Sequence, residues 1–240
     1  MAWQDGVAII TGATSGIGAG VARELGGAGM RLVVTGRRRD RLDALAAELP
    51  AGRVAVVAGD IRDAALPDQL VKTALDRFGR LDLVFNNAGL MRVGTIDEMD
   101  LAGASLMIQT NVEATMRVSY TVLRQFKRQG SGLLINLSSI LGTKVRPTAG
   151  VYAATKHAIE ALSQALRMEV AGTGVKVSVL EPGFVETELQ AHFPVSPRKL
   201  FNITAPLQPA DIARCVRFLL EQPPHVCIPV MMILPAQQAM

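Results

Sequence analysis

A doubly wound, parallel α/β sheet of seven strands, with helices on both faces and one domain over residues 1–240, is the fold this sequence predicts. Three features point to it. Short β-branched runs alternate with longer stretches of helical periodicity along the whole chain. The short runs are apolar at consecutive positions, as strands buried on both faces are. A glycine-rich turn joins the first run to the first helical stretch.

In order, the pattern predicts a strand over 7–11, a helix over 16–28, a strand over 32–35 and a helix over 40–49. A strand over 54–58, a helix over 64–78 and a strand over 83–86 follow. A long helix is predicted over 100–128, then a strand over 133–137 and a helix over 151–170. A strand over 175–180, a helix over 209–221 and a last strand over 228–234 complete the set. Right-handed crossovers turn such an alternation into a doubly wound sheet. No linker, low-complexity tract or internal repeat divides it. The one irregular stretch is 189–207, rich in proline, and it is expected to form a loop or lid over a substrate.

Composition limits the function classes. Of 240 residues 49% are hydrophobic and 19% charged, which fits either a large core or apolar surface covered by subunit contacts. The net charge of +4 comes from scattered bases, with one dense run at Arg37, Arg38, Arg39 and Arg41. That run has no interleaved aromatics, and aromatics make up only 4% of the chain, so nucleic-acid binding is not expected. Cys215 and Cys227 fit neither a zinc site nor a disulfide framework and read as buried thiols. His157, His192 and His225 do not converge, and no metal-ligand spacing is present. No apolar stretch approaches a membrane span, and the amino-terminal residues lack a leader pattern. A protein of the reducing cytoplasm is expected.

The chemistry is concentrated in a few motifs. Thr11-Gly12-Ala13-Thr14-Ser15-Gly16-Ile17-Gly18 lies between the first strand and the first helix. Its glycines let a ligand approach the backbone, and free N–H groups at the helix start suit a pyrophosphate. Gly36, Arg37 and Arg38 end the second strand. An acid there would bond a ribose hydroxyl and repel a 2′-phosphate, whereas a guanidinium fork matches a phosphate. NADP(H) is therefore preferred, with NAD(H) possible, and discrimination is expected to rest mainly on Arg37, with Arg38 helping. Tyr152 and Lys156 are four apart in a predicted helix and share a face. A cation near a tyrosine oxygen favours the phenolate.

The Gly12, Gly16, Gly18 spacing resembles the short-chain dehydrogenase/reductase family. The likeness extends to Asn86-Asn87-Ala88-Gly89, Asn111, Ser139, Tyr152-Ala153-Ala154-Thr155-Lys156 and Pro182-Gly183 with Thr187, in the family's order, over residues 5 to 235. Thr35-Gly36-Arg37-Arg38, Glu181-Pro182-Gly183 and Met232-Ile233-Leu234-Pro235 are similar to bacterial NADP-dependent reductases of the 3-hydroxy acid and clavulanate-aldehyde type.

The resemblance implies an oxidoreductase with a Rossmann fold that interconverts an alcohol and a carbonyl compound. Tyr152 would be general acid and base, and Lys156 would tune it and hold the nicotinamide ribose. Ser139, at the family's spacing from Tyr152, is chosen over Ser138 to bond the substrate oxygen. Asn111 would bind a water in a proton relay through Lys156. Gly12, Thr14, Ser15, Gly16, Ile17, Gly18, Arg37, Arg38, Asp60, Ile61, Asn87, Ala88, Gly89, Pro182, Gly183, Val185 and Thr187 would line the cofactor. Asn86 would brace neighbouring strands instead. Asp60 also reads as a helix cap or turn residue.

Substrate contacts are expected from Ser139, Leu141, Lys144, Val145, Tyr152, Phe184 and His192. Met91 and Phe193 are further wall candidates, and Lys144 and Arg92 are possible anion contacts. Glu181 reads as a structural acid paired with an arginine or with backbone donors. The family also implies a homotetramer or dimer, paired through the helices after the fourth and fifth strands. A non-catalytic NADP(H) sensor on the same fold is the alternative, and retention of Ser139, Tyr152 and Lys156 argues against it.

Overall fold

A computed structural model describes residues 3–190, 193, 197–200 and 202–239. Seven strands form one parallel sheet in the order β3-β2-β1-β4-β5-β6-β7. They are β1 (Val7–Thr11), β2 (Arg31–Gly36), β3 (Val54–Ala58), β4 (Leu83–Asn86), β5 (Gly132–Leu137), β6 (Val175–Pro182) and β7 (Val230–Ile233). The helices are α1 (Gly16–Gly27), α2 (Arg39–Ala47), α3 (Leu66–Phe78), α4 (Leu101–Ile108), α5 (Ala114–Gln129), α6 (Gly150–Glu169), α7 (Pro197–Leu200) and α8 (Pro209–Leu220). All seven predicted strands form, each within three residues of its expected bounds.

The consecutive apolar runs have the predicted cause. In β1, Ala8 and Ile10 pack into one core with Leu25, Leu42, Phe85, Ile212 and Val216, while Val7 and Ile9 pack into a second with Leu70, Ala74, Val118, Phe126 and Leu166. Successive side chains point to opposite faces. Both faces are covered, so every position must be apolar. A third, smaller cluster of Met91, Met107, Leu141, Ala149, Tyr152 and Ala153 lies beside the site.

The strand order reverses between β1 and β4, which both pair in parallel with their neighbours on either side. A crevice opens at such a switch point beyond the carboxyl ends of the strands. Buried amides brace its floor. Asn86 donates to the Asn136 side chain at 3.1 Å and to the Thr115 carbonyl at 3.2 Å, and Asn136 donates to the Ser163 hydroxyl at 2.9 Å. The expected brace from Asn86 is present.

Three expectations need correction. The long helix over 100–128 is not continuous: α4 and α5 are joined by a π turn, Gln109–Glu113. The irregular stretch carries a 3-10 turn at Glu188–Gln190 and the short α7, and its base is pinned where Glu186 N–H donates to the Leu207 carbonyl at 2.9 Å. Cys227 is exposed and Cys215 only half-buried. An apolar neighbourhood in sequence does not ensure burial near an edge strand. Among the described residues no helix is long and apolar enough to cross a membrane, and no group of side chains could hold a metal.

Candidate active site

The carboxyl ends of the central strands open onto a cavity of about 910 Å³. Its nucleotide end is built on the turn after β1. Gly12 has φ of 68°, and a Cβ there would lie 2.7 Å from Asn87 Nδ2 and 2.9 Å from the Ala88 Cα. Asn87 holds the turn in place, donating through Nδ2 to the Thr11 carbonyl at 2.8 Å. Ser15 caps α1 in an extended conformation, but its side chain makes no cap bond. The first N–H groups of α1 are thus left to whatever enters the cavity, and the helix dipole favours an anion there. Gly18 does not line the cavity: a Cβ at that position would meet the Gly12 carbonyl oxygen at 2.4 Å, so its role is close packing under the turn.

Arg38 points into this end. It donates to the Thr14 hydroxyl at 3.0 Å, to the Ser15 hydroxyl at 2.8 Å and to Glu188 at 2.9 Å. Arg41 also reaches Glu188, at 2.6 Å, and the two guanidinium groups hold that carboxyl down to about 2. Arg37 is exposed, and its charge acts on Asp60. Both Arg37 and Arg38 line the cavity, and Arg38 folds over the loop after β1. Asp60 lines the cavity but pairs with Arg62 at 2.5 Å, which holds its carboxyl below the usual range. Both the turn and the ligand reading of Asp60 remain compatible with this geometry.

The chemical end lies between β5, α6 and β6. Ser139 sits in extended backbone just after β5, its hydroxyl accepts from Leu141 N–H at 3.2 Å, and it lines the same cavity wall as Tyr152. Ser138 faces Glu160 instead, which separates the two adjacent serines. Tyr152 and Lys156 stand one turn apart on α6, both buried. Lys156 Nζ donates to the Leu137 carbonyl at 2.8 Å and lies 5.7 Å from the centre of the Tyr152 ring. Burial pushes the tyrosine up to about 12, with Ser139 and the Arg146 charge opposing the rise. Burial brings Lys156 down to about 8, opposed by Glu160. In the chain alone, the lysine does not offset the desolvation of the phenol.

Asn111 lies in the π turn and is fully buried, away from the cavity wall. Its side chain accepts from Leu90 N–H at 2.9 Å and donates to the Leu90 carbonyl at 2.9 Å and to the Thr155 hydroxyl at 3.1 Å. It ties the segment after β4 to the helix of Tyr152, and both N–H groups of its amide are engaged. Glu181 has a different partner from either expected one: it meets Glu160, and burial together with that second carboxyl pushes it up to about 7.

Every other residue expected at the cofactor lines the cavity, as do Leu141, Lys144, Val145, Phe184, Met91, Arg92 and Phe193. His192 lies outside the described residues. The sequence reading missed Arg146, Glu188, Gln237 and Gln238, which also line it. Gln238 accepts from Phe184 N–H at 2.8 Å, and Gln237 accepts from Thr204 N–H at 2.8 Å. Nothing local marks the two glutamines, since only the return of β7 brings them over the site. Arg146, in the interval between Ser139 and Tyr152, could have been suspected from that position alone.

A glycine turn that only glycine fits, an uncapped helix start and a basic side chain folded over it suit a dinucleotide, and the residues present fit one. A family model described as short chain dehydrogenase matches residues 6–195. An uncharacterized oxidoreductase of Staphylococcus aureus (strain N315) is 38% identical over 222 residues, covering 92% of this chain and 94% of that one. The alcohol dehydrogenase of the archaeon Thermococcus sibiricus, solved with 5-hydroxy-NADP, is 32% identical with a TM-score of 0.87, covering 98% of each chain. The 3-ketoacyl-(acyl-carrier-protein) reductase of Brucella melitensis, solved with NADH, is 27% identical with a TM-score of 0.89, again covering 98% of each. Fold, site and relatives agree: the chain belongs to the short-chain dehydrogenase/reductase family of oxidoreductases.

Proposed function

We propose that the protein is an NADP(H)-dependent oxidoreductase that interconverts a small alcohol or hydroxy compound and its ketone or aldehyde, with Tyr152 as general acid and base. The observation that carries this reading is the meeting of Ser139, Tyr152 and Lys156 on the cavity wall, with Lys156 buried one turn from Tyr152 on α6 and its Nζ 5.7 Å from the centre of the tyrosine ring. When bound, the nicotinamide nucleotide supplies or accepts the hydride.

The chain's own residues do the rest. Ser139 donates a hydrogen bond to the carbonyl oxygen and polarises it. Tyr152 gives its proton to the oxygen as negative charge develops there, and takes it back in the reverse direction. Lys156 would hold the ribose of the nucleotide, and its charge, 5.7 Å from the centre of the Tyr152 ring, favours the phenolate that proton transfer leaves. Asn111 is a positioning residue that fixes Leu90 against α6. Any water that passes protons onward would be held by main-chain atoms of the π turn, a type of turn often found at functional sites.

NADP(H) over NAD(H) rests on Arg38, with Arg37 and Arg41 nearby. Its contacts to Thr14 and Ser15 hold a guanidinium beside the turn after β1, where it would bind a 2′-phosphate. Residues 189–207 form the substrate loop, pinned at Val185 and Leu207. The protein pairs as a homo-oligomer through α5 and α6, where Met116, Tyr120 and Met168 are exposed.

The test is consumption of NADPH against a panel of aldehydes, ketones, 3-oxo acids and quinones, with Tyr152→Phe in parallel. Turnover by the wild type with at least one class, lost in the variant, supports the reading. NADPH binding without turnover anywhere in the panel overturns it in favour of a sensor.

A further inference from the structure

Glu188 is an acid set among the cations of the nucleotide end. It follows Thr187 after β6 and begins the 3-10 turn Glu188–Gln190, whereas Arg38 and Arg41 stand at the start of α2, after β2. The two segments come from different halves of the sheet, since β2 and β6 lie on opposite sides of the switch between β1 and β4. Two ion pairs join them. Arg38 Nη1 donates to one carboxylate oxygen at 2.9 Å, and Arg41 Nη1 donates to the other at 2.6 Å. The remaining donors of Arg38 hold the Thr14 and Ser15 hydroxyls in the turn after β1. Arg38 and Glu188 line the same cavity. The other acid on its wall, Asp60, has Arg62 for its partner.

A guanidinium receives a carboxylate and a phosphate through the same N–H donors. Glu188 therefore sits on the group that the 2′-phosphate of a cofactor would need. Its hold is weak enough to be displaced. The side chains are 39% exposed at Arg38, 43% at Arg41 and 52% at Glu188, and ion pairs so open to water contribute little. The two cations keep the carboxyl down to about 2, so it remains an anion at neutral pH.

We infer that Glu188 is a specificity-determining residue for the cofactor: its carboxylate is an internal competitor that occupies Arg38 and Arg41 in the free protein and gives them up to the 2′-phosphate of NADP(H). Affinity for the phosphorylated cofactor is thereby held below what the two guanidinium groups alone would give. NAD(H) has no 2′-phosphate and leaves the ion pairs in place. This role rests on the NADP(H) reading of Arg38 proposed above.

The experiment measures binding alone, by calorimetry, of adenosine 2′,5′-bisphosphate and of AMP, which lacks the 2′-phosphate. It uses the wild-type protein and Glu188→Gln, and is repeated with NADPH and NADH by fluorescence titration. Glu188→Gln should tighten the bisphosphate and NADPH about 3- to 10-fold, the combined size of two exposed ion pairs. AMP and NADH should change by less than about 2-fold, since both leave the guanidinium groups without a phosphate to exchange for the carboxylate.

Bisphosphate affinity that is unchanged or weaker in the variant overturns the competition. An equal gain for AMP overturns it too, because that is the general effect of removing a negative charge near an anion. With a wild type that prefers the bisphosphate over AMP, either result leaves the NADP(H) reading intact. A wild type without that preference, in which Glu188→Gln creates one, keeps the competition and removes the NADP(H) preference. No preference in either protein removes both.

Discussion

At the scale of single residues, the site is set by how burial acts on ionisable side chains. Tyr152 is pushed up to about 12 and Lys156 down to about 8. In both cases removal from water disfavours the charged form. In cofactor-free protein, a lysine resonance in a ¹³Cε titration should move near pH 8 and be missing in Lys156→Met. If every lysine titrates near its ordinary value, the buried position of Lys156 is wrong.

Glu181 makes a second prediction. Its pKa is raised to about 7, so its protonated form is favoured in the folded chain. That contribution is complete below the unfolded value near 4.5 and is lost as pH rises through about 7. Stability to denaturant should therefore fall from pH 5 to pH 8, and Glu181→Gln should flatten that fall. An unchanged slope in the variant would place the pH dependence elsewhere. Arg38→Asp should lower the preference for NADPH over NADH about 10- to 100-fold, the size of one or two charge-assisted bonds, and more than Arg37→Asp does. The opposite order would restore the role the sequence assigned to Arg37.

At the scale of elements, the strands and most helices were legible because their apolar periodicity reflects what covers them. The β1 run is apolar throughout since α1 and α8 cover one face and α3 and α5 the other. The glycine turn was legible for a similar reason. Gly12→Ala places a Cβ within 2.7 Å of Asn87 Nδ2 at a φ of 68°, and should cost about 1–3 kcal/mol in stability along with most of the cofactor affinity. Wild-type affinity in that variant would show that the turn tolerates more than its geometry allows.

The π turn was not legible. Gln109–Glu113 reads as ordinary helix in periodicity, and only the tertiary pairing of Asn111 with Leu90 and Thr155 gives it away. The same holds for the contacts of Arg38, which depend on Thr14, Ser15 and Glu188, all distant in sequence.

At the scale of the whole molecule, one reversal of strand order places the nucleotide turn, the serine and the tyrosine on one crevice. The carboxyl-terminal residues Gln237 and Gln238 close over it through contacts to Thr204 and Phe184 that no local sequence signal could suggest. The exposed apolar residues of α5 and α6 predict association. Light scattering at micromolar concentration should give a mass that is a multiple of 25.6 kDa, and a monomer would remove those helices as an interface.

The most direct test of the central claim follows deuterium from NADPH labelled at C4. Wild-type protein should deliver the label to the carbinol carbon of the product. Tyr152→Phe should bind NADPH with unchanged affinity and lower transfer by about 10²–10⁴-fold, the usual share of a general acid. Product without the label, or transfer at the wild-type rate in Tyr152→Phe, would contradict hydride transfer with Tyr152 as the proton donor.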